Sequence, residues 1–122
     1  MSFESILGQV LGECPGALGA ALMGSDGVPI AEATAPAASE LTDELGVLGI
    51  EFGRVLDEAR KAADAAAAGS LVELAVRTER FHVLIQAVDP DTYLVLVLAP
   101  EANVGKGRYL MRRHQLSIRQ EL

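Results

Sequence analysis

Apolar residues recur along this chain in two rhythms, and the change from one to the other outlines its elements. From Glu40 to Gly69 the spacing is four and three: Leu41, Leu45, Leu48, Phe52, Val55, Ala59, Ala62 and Ala66. That repeat is one face of a long helix, with an apolar stripe wide enough to sit on a core. Beside it runs a second, small-residue stripe of Gly46, Gly49, Gly53, Leu56, Arg60, Ala63 and Ala67. A glycine inside a helix costs roughly 0.8–1 kcal/mol relative to alanine. Three of them imply a compensating gain, such as the close approach of another backbone. The alternative is an ordinary core helix that is small on one side. The remaining face carries Glu44, Glu51, Arg54, Glu58 and Lys61, with Arg54–Glu58 and Asp57–Lys61 at i,i+4. Ser39 is the expected N-cap and Gly69 the expected left-handed C-terminal residue.

The same reading extends outward from this helix. Phe3, Ile6, Leu7, Val10 and Leu11 mark a short first helix behind Ser2, ended by Gly12 and Pro15-Gly16. Ala17–Met23 and Val28–Ala33 flank Gly24-Ser25-Asp26-Gly27, a strong hairpin signal. Pro29 removes a backbone donor, which sends the second strand to a sheet edge or makes it begin irregularly. After Gly69 the period becomes two. In Leu71–Arg77, Val72, Leu74 and Val76 face one way, Glu73 and Arg77 the other. Phe81–Val88 and Thr92–Ala99 follow, each behind a turn. The latter is apolar on both faces and belongs in the middle of a sheet. Asn103 caps a last helix running to about Ser117 or beyond, with Val104, Met111 and Ile118 on its buried side. The alanine run at 65–68 reads as helix by propensity. The order is α-β-β-α-β-β-β-α. Short turns imply antiparallel pairing. The expected fold class is α/β, an α+β sandwich: a five-stranded antiparallel sheet with the long middle helix on one face and the terminal helices on the other.

Composition narrows the function. The chain has 122 residues, half of them hydrophobic, which suits one domain with a real core and not a disordered segment. No apolar run is long enough to span a membrane, and the N-terminus lacks the marks of a signal peptide. A single cysteine, Cys14, leaves no internal disulfide, and the expected location is cytoplasmic. Residues 1–53 hold eight acids and no Lys or Arg, whereas residues 103–122 hold five bases and one acid. The acidic body argues against nonspecific nucleic-acid binding; the basic last helix is a solvated face or touches an anionic partner.

Catalytic constellations are missing from the pattern. His82 falls in a strand and His114 in a basic helix, and no Cys/His pair has metal-ligand spacing. Gly105-Lys106-Gly107 lacks the preceding glycine of a Walker loop. Free N–H groups near Asn103 with Lys106 can hold a phosphate, but the simpler role for these glycines is close helix–sheet packing. Cys14 has no basic sequence neighbour to activate it. The expectation is a protein without enzymatic activity, cofactor or metal.

Three features together resemble the roadblock family, in its MglB-like bacterial branch. They are the hairpin GALGAALMGSDGVPIA at residues 16–31, the long small-residue helix leading into three strands, and ANVGKGRYLMRR at residues 102–113, with Asn103, Gly105, Arg108, Tyr109 and Arg112 in the family's usual places. The resemblance implies a homodimer that pairs its middle strands edge to edge, here Leu71, Val72, Glu73, Leu74, Ala75, Val76 and Arg77, and sets the long helices side by side. It further implies a small Ras-like GTPase as partner, docked around those helices, with hydrolysis stimulated without an inserted arginine. The candidate GTPase contacts are then Gly46, Gly49, Gly53, Leu56, Arg60 and Ala63. Longer MglB proteins carry a C-terminal extension, whereas this chain stops at Leu122. Two other classes share much of the element order: a small-ligand sensor of PAS, GAF or profilin shape, and a purely structural assembly scaffold. Five aromatics and no tryptophan argue against a cofactor pocket.

Overall fold

The computed structural model describes residues 2–122. It contains helix α1 (Phe3–Glu13), strands β1 (Ala17–Gly24) and β2 (Pro29–Thr34), a 3₁₀ helix (Pro36–Leu41) and helix α2 (Thr42–Ala65). Strands β3 (Glu73–Arg77), β4 (His82–Asp89) and β5 (Thr92–Leu98) and helix α3 (Val104–Glu121) complete it. The five strands form one antiparallel sheet in the order β2-β1-β5-β4-β3. The expected order, sheet and layering are all present.

β5 is the central strand, buried at every one of its seven positions. Its alternation feeds two cores. Leu94, Leu96 and Leu98 meet α1 and α3 through Ile6, Leu7, Val10, Leu110, Met111 and Ile118. Tyr93, Val95 and Val97 meet α2 through Leu56, joined by Phe81, Val83 and Ile85. Gly107 lets α3 settle close on its sheet face: a Cβ there would stand 3.2 Å from Leu98 Cδ1 and 3.3 Å from Leu96 Cδ2. Gly105, by contrast, is exposed, so the packing role belongs to Gly107 alone. Two caps match expectation: the Ser5 N–H donates to Ser2 Oγ at 3.1 Å, and the Lys106 N–H donates to Asn103 Oδ1 at 3.0 Å.

β2 is an edge strand, as Pro29 requires, and its register shifts beside Pro29, at Leu22/Met23. The turn before it is closed by Gly24 and Val28, with Asp26 Oδ1 accepting from the Val28 N–H at 3.0 Å and Gly27 at φ 83°.

Both ends of the long helix differ from expectation. Ser39 is not its N-cap. The chain enters through the 3₁₀ helix, and Ser39 instead offers its carbonyl to the Thr42 hydroxyl at 2.7 Å. At the other end the alanine run does not remain helical to Gly69. Ala67 takes φ 53°, its N–H donates to Asp64 O, and the Ala68 N–H donates to Ala63 O. That pair of bonds is a Schellman cap, with alanine where glycine is usual. High helix propensity did not hold these residues in the helix, because the cap satisfies two terminal carbonyls and turns the chain toward β3.

Candidate functional site

α2 and the β3 edge carry the candidate contacts. Leu41, Leu45, Leu48 and Phe52 pack on the sheet, as the first stripe requires. Beyond Phe52 the buried line passes to the second stripe. Gly53 is buried and Leu56 is 1% exposed, whereas Val55 is 43% exposed. Steric room is the reason. A Cβ on Gly53 would stand 3.2 Å from Met23 Cε and 3.4 Å from Gly27 Cα, so the β1–β2 turn touches the helix there. Part of the close approach inferred from the small stripe is thus made within the chain itself, by a hairpin turn.

This divides the six candidate GTPase contacts. Gly53 and Leu56 are interior residues of the chain, with no surface to offer a partner. Arg60 is an internal tie: its Nη1 donates to Ser25 O at 3.1 Å, and its guanidinium lies 5.9 Å from the Tyr93 ring centroid. Ala63 and Gly49 are half-buried, and Gly46 is exposed. A Cβ on Gly46 or Gly49 would meet nothing within 4 Å.

The solvent face of α2 carries residues that both stripes missed. Val47 is 60% and Ile50 57% exposed, and Val28 of the β1–β2 turn is 58% exposed. Ile50 and Val28 line one shallow depression with Arg54, Asp57 and Glu58. The signal was present in the sequence as two β-branched residues outside both stripes. Which rows of the helix were free was not. Arg54 pairs with Glu51 at 3.6 Å and not with Glu58 as spacing suggested; Lys61 and Asp57 do pair, at 3.0 Å.

At the β3 edge, Leu71 and Val72 lie just before the strand. Leu71, Leu74 and Val76 are half-buried against the α2-side core, Val72 is 73% exposed, and Ala75 and Arg77 are exposed. The Ala87 N–H donates to Val72 O, and the Glu73↔Gln86 register then directs the backbone groups of Glu73, Ala75 and Arg77 away from β4. Glu73 Oε1 accepts from Arg108 Nε at 3.1 Å and from Gln86 Nε2 at 3.2 Å, which ties the edge to α3.

The histidines and the cysteine do not converge. His114 Nε2 meets Glu13 Oε1 at 3.0 Å and joins α3 to α1. His82 is buried, and its Nδ1 has no partner among the described residues; burial, and then the charges of Arg77 and Arg108, push its pKa down. Burial pushes the Cys14 thiol up, opposed by the nearby Lys106 ammonium, a basic neighbour that tertiary contact supplies and the local sequence does not. Among the described residues no three His, Cys, Asp or Glu side chains group as a metal site, and no helix is long and apolar enough to cross a membrane.

The chain resembles MglC from Myxococcus xanthus over the whole length of both proteins, at 32% identity and a TM-score of 0.73. The chain belongs to the roadblock family. Its place is in the MglB-like branch, and two further roadblock-type structures share its fold. A Roadblock/LC7 domain from Streptomyces avermitilis is 15% identical with a TM-score of 0.83, the match covering 99% of this chain and 98% of that one. The gliding protein MglB from Thermus thermophilus is 22% identical with a TM-score of 0.78, covering 91% of this chain and 81% of that one. Neither a family model nor a curated protein sequence matches the chain.

Proposed function

We propose that this roadblock protein is a non-enzymatic, cytoplasmic homodimer that regulates or scaffolds a small Ras-like GTPase. The observation that carries the reading is the apolar solvent face of α2, Val47 and Ile50, on a chain similar to MglC along its whole length. Large β-branched residues more than half exposed on one helix row are what a docking surface needs. Burying either one fully is worth about 1.5–3 kcal/mol, of which the exposed part is roughly half. The outward-facing groups of Glu73, Ala75 and Arg77 supply the dimer: an open strand edge invites pairing, and a twofold partner satisfies it. Of the glycines, Gly46 and Gly49 contribute to the partner surface; Gly53, Leu56 and Arg60 hold α2 in place beneath it.

Two variants separate the parts. Ala75→Pro removes an outward donor without touching the β4 ladder and should convert the dimer to monomer in light scattering. Val47→Asp with Ile50→Asp should leave the dimer intact and weaken binding of a Ras-like GTPase from the same genome by about tenfold or more. A parent protein that is monomeric at micromolar concentration removes the dimer. Unchanged GTPase binding by the double variant removes α2 as the contact surface.

A further inference from the structure

The second sheet edge, β2, borders an apolar groove that the fold leaves unfilled. A cavity of about 240 Å³ lies between the N-terminal half of α2 and the sheet. Val83, Val95 and Val97 form part of its floor, and Ala21 lines it from β1. Its mouth lies between β2, at Glu32 and Thr34, and α2, at Thr42, Gly46 and Gly49. The Gly53–Gly27 contact joins α2 to the β1–β2 turn, and the 3₁₀ helix connects β2 to α2. An engineered cavity of about 150 Å³ takes a benzene ring, so this volume admits one large or two small apolar side chains.

The strand at the mouth is itself unpaired on one side. The Ala35 N–H donates to Leu18 O, and the Ala20↔Ala33 and Leu22↔Ala31 pairs continue that phase. By antiparallel alternation the N–H and C=O of Glu32 and Thr34 then point outward, and among the described residues no strand lies beyond them. The one charged residue in the groove's lining is Glu32, exposed and without an ion pair among the described residues, and residues 1–53 hold eight acids and no Lys or Arg.

We propose that β2 is a docking strand for an extended segment of a partner protein in which apolar residues alternate with lysine or arginine. The segment adds a sixth strand to the sheet through the outward groups of Glu32 and Thr34. Its apolar side chains on the α2 side enter the groove, and its basic residues, which point to the other face, are drawn by the negative charge of residues 1–53. Backbone pairing supplies affinity and the groove supplies selection, the division of labour in strand addition. The negative charge of residues 1–53 makes the complex salt-sensitive and disfavours acidic segments. β2 lies at the opposite edge from β3, so strand addition here does not depend on β3 pairing; the groove shares Gly46, Gly49 and Ile50 with the proposed GTPase face.

The test uses the full chain and a fluorescein-labelled peptide of about ten residues alternating leucine with lysine. Anisotropy should report micromolar binding that weakens with added salt. Glu32→Pro removes an outward N–H and leaves the β1 ladder whole, a tolerated place for proline. Ala21→Leu fills the groove. Each should weaken the peptide by about tenfold or more while light scattering gives the parent's mass. Ala75→Pro, at the other edge, should leave peptide affinity unchanged, so a failure here is distinguishable from a failure of the dimer or GTPase reading. In amide NMR spectra the largest shifts should fall at Glu32 and Thr34. Absence of binding at millimolar peptide overturns the proposal, as does binding that both β2-side variants leave intact. Displacement of the peptide by decanoate with Glu32→Pro neutral also overturns it, and assigns the groove to a small apolar ligand. If Ala21→Leu fails to fold, Glu32→Pro and the NMR shifts decide.

Discussion

Substituting the three α2 glycines by alanine separates what each one does. Gly46 and Gly49 have open space where a Cβ would stand, whereas at Gly53 that atom would lie 3.2 Å from Met23 Cε and 3.4 Å from Gly27 Cα. Alanine gains about 0.8–1 kcal/mol of helix propensity over glycine. Gly46→Ala and Gly49→Ala should each realise that gain, because nothing opposes it. At Gly53 the gain is offset, since Met23 is buried and its methyl must shift by a few tenths of an ångström. Gly53→Ala should therefore fall within about 0.5 kcal/mol of the parent, and Gly53→Leu should lose about 1–3 kcal/mol through overpacking against the β1–β2 turn. Urea unfolding at fixed protein concentration reads these differences; with a slope of about 2 kcal/mol/M, 1 kcal/mol moves the midpoint by about 0.5 M. Midpoints that fall for Gly46→Ala and Gly49→Ala as they do for Gly53→Leu would refute the reasoning, because the space beside those glycines would then be occupied in solution. If the two alanine variants are more stable yet bind the proposed GTPase partner less well, these glycines are kept for that partner.

Further outcomes are expected. Ala67→Gly relieves an alanine at φ 53° and should stabilise the protein by about 0.5–1 kcal/mol in the same urea assay; a loss would mean that the alanine methyl makes a contact worth more than the strain. His82 has its pKa lowered by burial and by Arg77 and Arg108, so its contribution is fully present above the unfolded value of about 6.5 and is lost as pH falls through the depressed folded value. His82→Phe should flatten the stability profile below about pH 6.5, and an unchanged slope would assign the acid sensitivity elsewhere. Cys14 is 2% exposed with its thiol pKa raised, so it should resist a chromogenic disulfide reagent in the native protein and react fully in denaturant; rapid native labelling would contradict this.

The hydrophobic pattern alone determined the order of elements, the antiparallel pairing, the central place of β5 and the edge place of β2. These follow from short-range rules: a period of two or of 3.6, a turn sequence, and a proline without a donor. The pattern also marked Asn103 and Ser2 as caps, because a cap is closed by residues three positions away. It did not determine how α2 is turned about its own axis. Two stripes lay side by side on that helix, and the choice between them came from Gly27, a turn residue far away in sequence that touches Gly53. Arg60 likewise reads as a free cation until the Ser25 carbonyl and the Tyr93 ring come beneath it. The two ends of α2 escaped the sequence for a related reason: propensity scores each residue alone, whereas the 3₁₀ entry and the Schellman exit answer to where the chain must go next. The groove beside β2 is the clearest case. Empty volume belongs to no residue, and it arises only where helix, turn and sheet fail to close on one another.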